Sequence, residues 1–179
     1  MDSKNEYQIG EEPVEFLVDN VSLLPKGRVL DIAMGEGRNA LFLAENGFMV
    51  DGIERSEEAI KTAFLRAEKR MLHLNIIKAD LEKFEFNPDE NSYDIIICFY
   101  YLQRTLFPFI KKWLKKNGII VYQTFTIDNL KYQNRPKNPD HVLQHNELLK
   151  AFLDFRINFY RECVLNNETA VASLIAEKI

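Results

Sequence analysis

Apolar positions along this 179-residue chain switch repeatedly between two spacings. Short, nearly continuous apolar runs at residues 28–33, 48–53, 73–79, 93–99 and 119–125 read as strands. The fourth carries Ile95, Ile96 and Ile97 in succession, so it is apolar on both faces, as a buried parallel strand requires. Helical spacing fills the intervals. Residues 11–24 form one such stretch, ended by Pro25 and Gly27, and residues 37–46 form another, closed by Gly47 as a C-terminal cap. A third begins at Ser56 as N-cap, with Glu57 and Glu58 in the first turn where the helix dipole favours acids. It continues through Ile60, Ala63, Phe64, Ala67 and Met71. A fourth shows the stripe Leu106, Phe109, Ile110, Trp113 and Leu114. Lys111, Lys112, Lys115 and Lys116 flank it as a solvated face near the helix C-terminus, and Asn117-Gly118 is expected to end it.

The rhythm then changes. Residues 126–145 are polar, contain Pro136 and Pro139 and show no period, as a functional or mobile loop would. A short helix at 146–153 is followed by strands at 155–164 and 169–178, joined by Asn166-Asn167-Glu168 in a hairpin-length turn. Strands alternating with helices predict an α/β fold: a doubly wound, mostly parallel seven-stranded sheet with a C-terminal antiparallel hairpin. One domain over residues 1–179 is expected, with 1–25 as an N-terminal helical segment and candidate lid, and 126–145 as a substrate-side loop. Ligands of such sheets bind at the carboxyl ends of the strands, so the turns there are where chemistry is to be sought.

Composition narrows the picture. Hydrophobic residues at 46% and charged residues at 28%, with 13 Phe and seven Tyr, suit a globular core. A net charge of -4 argues against a protein that holds nucleic acid by neutralising phosphates. Cys98 and Cys163 stand apart in apolar runs and read as core residues, not as a metal or disulfide set. No signal peptide is visible and no apolar run approaches the roughly 20 residues that span a bilayer. A cytoplasmic protein without membrane contact is expected.

The first strand runs into Asp31-Ile32-Ala33-Met34-Gly35-Glu36-Gly37-Arg38-Asn39. Small residues at 33, 35 and 37 allow a tight turn and close approach of backbone to a ligand. Asp31 is placed to accept from an ammonium group, while the following helix start and Arg38 favour a carboxylate. A ligand bearing both groups matches. Gly35-x-Gly37-x-x-Ala40 also fits a dinucleotide fingerprint, but a diphosphate over that turn would face the acid at 31. Glu54, roughly 20 residues on, stands where a ribose-binding acid sits in such folds. Asp80 and Leu81, after the third strand, offer an acceptor for an exocyclic amine and an apolar contact for a flat base, although Asp80 alone is an ordinary turn residue.

These pieces resemble, in order and spacing, the class I S-adenosylmethionine-dependent methyltransferases, and more closely their tellurite-resistance (TehB-like) branch. The resemblance runs from about Glu11 to the C-terminus and rests first on residues 29–40, Val-Leu-Asp-Ile-Ala-Met-Gly-Glu-Gly-Arg-Asn-Ala. It rests also on Tyr101-Leu102-Gln103-Arg104 with Leu106-Phe107-Pro108, on residues 117–125, and on Arg135-Pro136 through Asp140 followed by Leu143-Gln144 and Glu147-Leu148-Leu149. It implies S-adenosyl-L-methionine as cofactor and S-adenosyl-L-homocysteine as product. It implies that Asp31, Ala33, Gly35, Gly37 and Arg38 hold the methionine part, that Glu54 with Arg55 holds the ribose, and that Asp80 and Leu81 read the adenine. It places Cys98 and Phe99 beside the methionine moiety. Ala33 stands where many members have glycine, and is expected there with a negative φ. Met34 replaces a common Cys, Glu54 a commoner Asp, Asn117 a frequent Gly, and His145-Asn146 a Pro-Gly-like pair.

Methyl transfer from a sulfonium is an in-line displacement that alignment and exclusion of water can drive. Tyr100 and Tyr101 are candidates for an aromatic wall near the cation. His141 and His145 are the candidate bases. Gln103, Arg104 and Arg135 are candidates for orienting a small anionic acceptor. The position after strand four reads Cys98-Phe99-Tyr100-Tyr101, which lacks the Asn/Asp-Pro-Pro-Tyr run of amino-group methyltransferases acting on nucleobases or glutamine, so a small molecule is the expected acceptor. A non-catalytic cofactor-binding protein and a dinucleotide-dependent oxidoreductase are the alternatives.

Overall fold

Residues 10–132, 136–166 and 168–179 are described by the computed structural model; Arg135 and Asn167 of the hairpin turn lie outside the described residues. Seven strands form one sheet: β1 (Arg28–Ile32), β2 (Met49–Glu54), β3 (Asn75–Lys78), β4 (Tyr93–Phe99), β5 (Leu114–Phe125), β6 (Arg156–Leu165) and β7 (Thr169–Glu177). Their order is β3-β2-β1-β4-β5-β7-β6. The first five run parallel, and β7 is antiparallel to both β5 and β6. This is the doubly wound sheet with a C-terminal hairpin that the alternating pattern predicts.

Successive side chains on a strand point to opposite faces, and both faces here are covered. Val29, Ile95 and Ile97 pack under α1 (Glu15–Asn20) and α2 (Arg38–Glu45) through Leu17, Ala40 and Leu43. Leu30, Ile32 and Ile96 pack on the other side with Ile110 and Trp113 of α4 (Phe107–Trp113) and Leu148 of α5 (Glu147–Ala151). Each such Leu, Ile or Val, fully removed from water, contributes about 1.5–3 kcal/mol. The helix α3 (Glu57–Lys69) buries only Ala63 and Ala67. Phe64 and Met71, expected in its apolar stripe, are 58% and 94% exposed. Alanine at 63 lets the helix lie close to the turn after β1: a Cβ at Gly37 would stand 3.1 Å from that of Ala63.

From β1 the chain winds outward to β3, then crosses to β4 on the opposite side of β1. Asp31 is therefore flanked by Gly52 of β2 and Ile97 of β4, at the switch point where open sheets take their ligands.

Several boundaries differ from the expected ones. Pro13 disfavours helix in the residue before it, so α1 starts at Glu15 rather than near residue 11, and the Val14 amide donates to Asn39 Oδ1 at 2.9 Å instead. The helix α4 stops at Trp113 because Leu114 turns into β5, pairing with Tyr93. Lys115 and Lys116 are thus strand residues, and Lys115 pairs with Asp94 at 2.9 Å. Asn117, at φ +63°, sits inside β5 where the pairing register shifts, not at a helix end. The aperiodic segment 126–145 is anchored: Thr126 bridges Leu143, Val142 and Leu143 are fully buried, and short 3-10 turns occupy Ile127–Lys131 and Pro139–His141. The buried residues among those described there, Thr126, Asn129, Pro136, Val142 and Leu143, fall at no constant spacing, so there is no period to read. No described helix is long and apolar enough to cross a membrane.

Ala33 has φ +54°, in the left-handed region, where a negative value was expected. The turn has to reverse there so that Met34 N can donate to Ile53 O at 2.9 Å. A left-handed conformation costs a residue with a Cβ about 1–2 kcal/mol, more than the entropy that glycine adds to the unfolded chain. Ala33→Gly is therefore expected to raise stability by about 0.5–1 kcal/mol, read as a higher urea midpoint at unchanged slope.

Candidate functional site

Strand alternation sends Asp31 to the α1–α2 face, next to Val29 and below the turn. Its residue is 1% exposed, and its Oδ2 has no hydrogen-bond partner. A buried, unpartnered carboxylate oxygen is costly. Burial pushes the Asp31 carboxyl up to about 8; Arg38 and the Ala40 backbone oppose that shift, while Glu54 adds to it. The guanidinium of Arg38 is itself disfavoured by burial and favoured by Tyr100 and Asp31.

Above Asp31 the chain turns through three left-handed residues, Ala33, Gly35 and Gly37, before α2 starts. Glycine at 52 is what makes room for this turn, since a Cβ there would lie 2.2 Å from Met34 Sδ. At the end of β2, Glu54 is held by three amides. Gly35 N donates to its Oε2 at 3.0 Å, and Arg55 N and Ser56 N donate to its Oε1 at 2.9 Å each. Oε1 already accepts two donors, whereas Oε2 accepts one and keeps a lone pair for another.

Asp31 and Glu54 line one cavity of about 470 Å³, together with Ala33, Gly35, Arg38 and Phe99. Its outer wall comes from residues that the sequence did not assign to the site. Glu58, Thr62 and Arg66 recur every four residues and so share one face of α3, a signal that was available in the sequence. Arg66 pairs with Glu36 of the turn at 2.9 Å and with Glu11 at 3.1 Å, and Gly10 lines the same cavity. The candidate lid segment thus runs along the rim; residues 1–9 lie outside the described residues.

The other expected site residues are placed as follows. Gly37 caps α2 and packs on Ala63. Asp80 follows β3, accepts from Glu82 N at 3.0 Å, and stands 4.0 Å from Arg55, which also reaches Glu82 at 3.2 Å. Leu81 is buried in the core of the opposite face. Cys98 is one residue out of phase with Phe99, so its side chain lies on that opposite face, with Sγ 3.6 Å from Tyr101 O and the thiol pushed up to about 12 by burial. It does not line the cavity. Tyr101 Oη donates to Gln103 Oε1 at 2.6 Å, and Gln103 Nε2 donates to Leu81 O at 3.0 Å. That link ties the segment after β4 to the turn after β3.

Arg104 is occupied. It donates to both oxygens of Glu147, at 2.5 and 2.9 Å, and to the carbonyls of Asp140 and Val142 at 2.8 and 2.9 Å. It clamps the 126–145 segment and α5 together and has little left for an anionic acceptor. His145 lies between Glu162 Oε2 at 3.0 Å and Asp128 Oδ2 at 3.7 Å. Glu162 belongs to β6, three strands from β4 in the sheet order. At about 4.8 Å per strand that puts the strand of its partner roughly 14 Å from β4. His141 is exposed at the end of a 3-10 turn. Neither histidine lines the cavity.

Comparison with known proteins matches residues 29–118 to a family described as a methyltransferase domain. The ubiquinone biosynthesis O-methyltransferase of Rickettsia typhi is 28% identical over 127 residues, 66% of this chain and 50% of that protein. The probable S-adenosyl-L-methionine-dependent methyltransferase TehB of Haemophilus influenzae is 35% identical over 104 residues, 56% of this chain and 35% of the relative. The crystal structure of TehB from Haemophilus influenzae superposes with a TM-score of 0.77 at 22% identity, over 91% of this chain and 61% of that one. The chain spans about half the length of the O-methyltransferases it matches.

Asp31→Asn tests the electrostatics directly. The wild-type carboxyl, raised in the folded state, contributes stability that is fully present below its unfolded value near 3.8 and is lost as pH rises through about 8. The variant lacks that loss. Its stability relative to wild type, from urea unfolding without ligand, should rise between pH 5 and pH 9 by on the order of a few kcal/mol.

Proposed function

The chain belongs to the methyltransferase-domain family, and from that premise we propose that it transfers a methyl group from S-adenosylmethionine to a small-molecule acceptor. The observation that carries this reading is a cavity in which an unpartnered buried carboxylate oxygen, an arginine and a second carboxylate meet. An amino acid joined to a nucleoside presents the complementary groups. Asp31 Oδ2 would accept from the ammonium, Arg38 would face the carboxylate, and Glu54 Oε2 would accept from a ribose hydroxyl with its remaining lone pair. Gly35 and Ala33 let backbone approach the ligand, and Phe99 supplies an apolar wall. Asp80, with Arg55 beside it, would accept from the adenine amine, although neither lines that cavity, and Leu81 packs into the core of the opposite face. A dinucleotide fits less well, because its diphosphate would lie over the turn directly above Asp31.

The bound cofactor supplies an electrophilic methyl group on a sulfonium. The residues of this chain would bind the cofactor at its charged end and its ribose, and the buried position of Asp31 would keep water from the floor of the site. Neither His141 nor His145 lines that cavity, and an acceptor that needs little deprotonation, such as a thiol or a small anion, makes the least demand on a base.

Isothermal titration with S-adenosylhomocysteine and with NAD checks this. The former should bind and the latter should not. A free carboxyl near 8 must lose its proton to meet an ammonium, so titrations at pH 7 in buffers of different ionisation enthalpy should report close to one proton released per ligand. Asp31→Asn and Glu54→Ala should each weaken binding by roughly 10- to 100-fold, the loss of one charge-assisted contact of about 1.5–3 kcal/mol. No affinity for S-adenosylhomocysteine would sink the proposal. Labelled-methyl transfer to a panel of thiols, halides, selenium and tellurium oxyanions and small acids then identifies the acceptor.

A further inference from the structure

Ser173 and Gln123 are 0% and 2% exposed and stand side by side on β7 and β5. They share the sheet face otherwise filled by Val121, Ile175, Phe125 and Val171. A hydroxyl and an amide buried there cost free energy unless partnered, and two apolar residues of the same shape would serve stability about as well. Here they are partnered in a line. Ser173 Oγ donates to Gln123 Oε1 at 2.7 Å, and Gln123 Nε2 donates to Tyr100 Oη at 3.1 Å. The backbone adds a second grip, Tyr100 N donating to Gln123 O at 2.8 Å.

Tyr100 follows Phe99, the last residue of β4, and has φ +57°. A bulky residue held in the left-handed region is strained, and such strain persists only where the surroundings over-determine it. Gln123 does so from two atoms. One side of the Tyr100 ring packs on Phe125, with centroids 5.0 Å apart. The Arg38 guanidinium carbon lies 5.7 Å from the ring centroid, within cation–π range. Arg38 is otherwise lightly held, its Nη1 reaching Glu12 O only at 3.5 Å. The polar line from β7 therefore ends on the cation that lines the cavity beside Asp31.

We propose that Tyr100, fixed by Gln123 and Ser173, is a positioning residue that sets the Arg38 guanidinium for the carboxylate of an amino-acid-bearing ligand. The proposal rests on the cofactor reading above and deepens it: the hairpin strand β7, remote from the ligand, helps to define the ligand's anionic end.

Three near-isosteric variants test it: Tyr100→Phe, Gln123→Met and Ser173→Ala. Each is titrated with S-adenosylhomocysteine and with 5′-methylthioadenosine, which lacks the amino-acid tail. Gln123→Met and Tyr100→Phe should weaken S-adenosylhomocysteine by roughly 3- to 10-fold, with Ser173→Ala smaller, and leave 5′-methylthioadenosine unchanged. In an Arg38→Ala background the Gln123→Met effect should vanish. Undiminished S-adenosylhomocysteine affinity, or equal losses for both ligands, would overturn the relay. A ligand-free measurement keeps the two readings separate. In NMR spectra the Arg38 Nε–Hε resonance should shift in Gln123→Met while that of Arg66 stays; an unmoved Arg38 resonance overturns the relay. If the unaltered protein binds neither nucleoside, the cofactor reading fails and this resonance alone decides the relay.

Discussion

One carboxyl group, buried at the end of the central strand without a partner for one of its oxygens, sets the terms for the rest of the site. Burying an anion in an apolar setting costs far more than one surface ion pair returns. The flanking strands impose that cost at Asp31, and Arg38 at the start of α2 and the Ala40 backbone offset part of it. The compensation is incomplete in the ligand-free protein, which is why the carboxyl holds its proton to near pH 8. A cationic group is the natural completion.

Geometry follows from that point. The turn above Asp31 reverses through left-handed residues at 33, 35 and 37, and Gly52 gives Met34 the space to fold beneath it. The reversal brings the Gly35 amide to Glu54, so a hydrogen bond joins the turns after β1 and β2. Arg66 links the first of these turns to the N-terminal segment through Glu36 and Glu11, although exposed pairs of this kind are worth little singly.

The two faces of the sheet divide the labour. On the α1–α2 face lie Asp31, Phe99, the Arg38–Tyr100 contact and the buried Gln123–Ser173 pair. On the other lie Cys98, Tyr122 and the apolar core under α4 and α5. The polar side chains beyond that second face hold segments together: Gln103 ties the post-β4 segment to Leu81, Arg104 ties it to the 126–145 segment, and Glu162 secures His145 and the Asn146 amide. Arginine saturated by a bidentate carboxylate and two carbonyls is a structural clamp.

Local chemistry determined what could be read in the sequence alone. Continuous apolar runs specify buried strands, Ser56 with Glu57 and Glu58 specifies a helix start, and small residues after the first strand specify a turn; each depends on neighbours a few positions away. The alternation of these elements was enough for the parallel sheet and for the order of the ligand-facing turns. Only the tertiary structure decided the rest. That Cys98 faces away from Asp31 follows from the register of β4 against β1, that α4 ends at Trp113 from the pairing of Leu114 with Tyr93, and that Ala33 is left-handed from the bond between Met34 and Ile53. Arg104 reads as a free cation until it meets Glu147, 43 residues on, and His145 reads as a free base until it meets Glu162 on an outer strand. Partners so distant along the chain leave no periodic trace, because only the folded sheet brings them within hydrogen-bond reach.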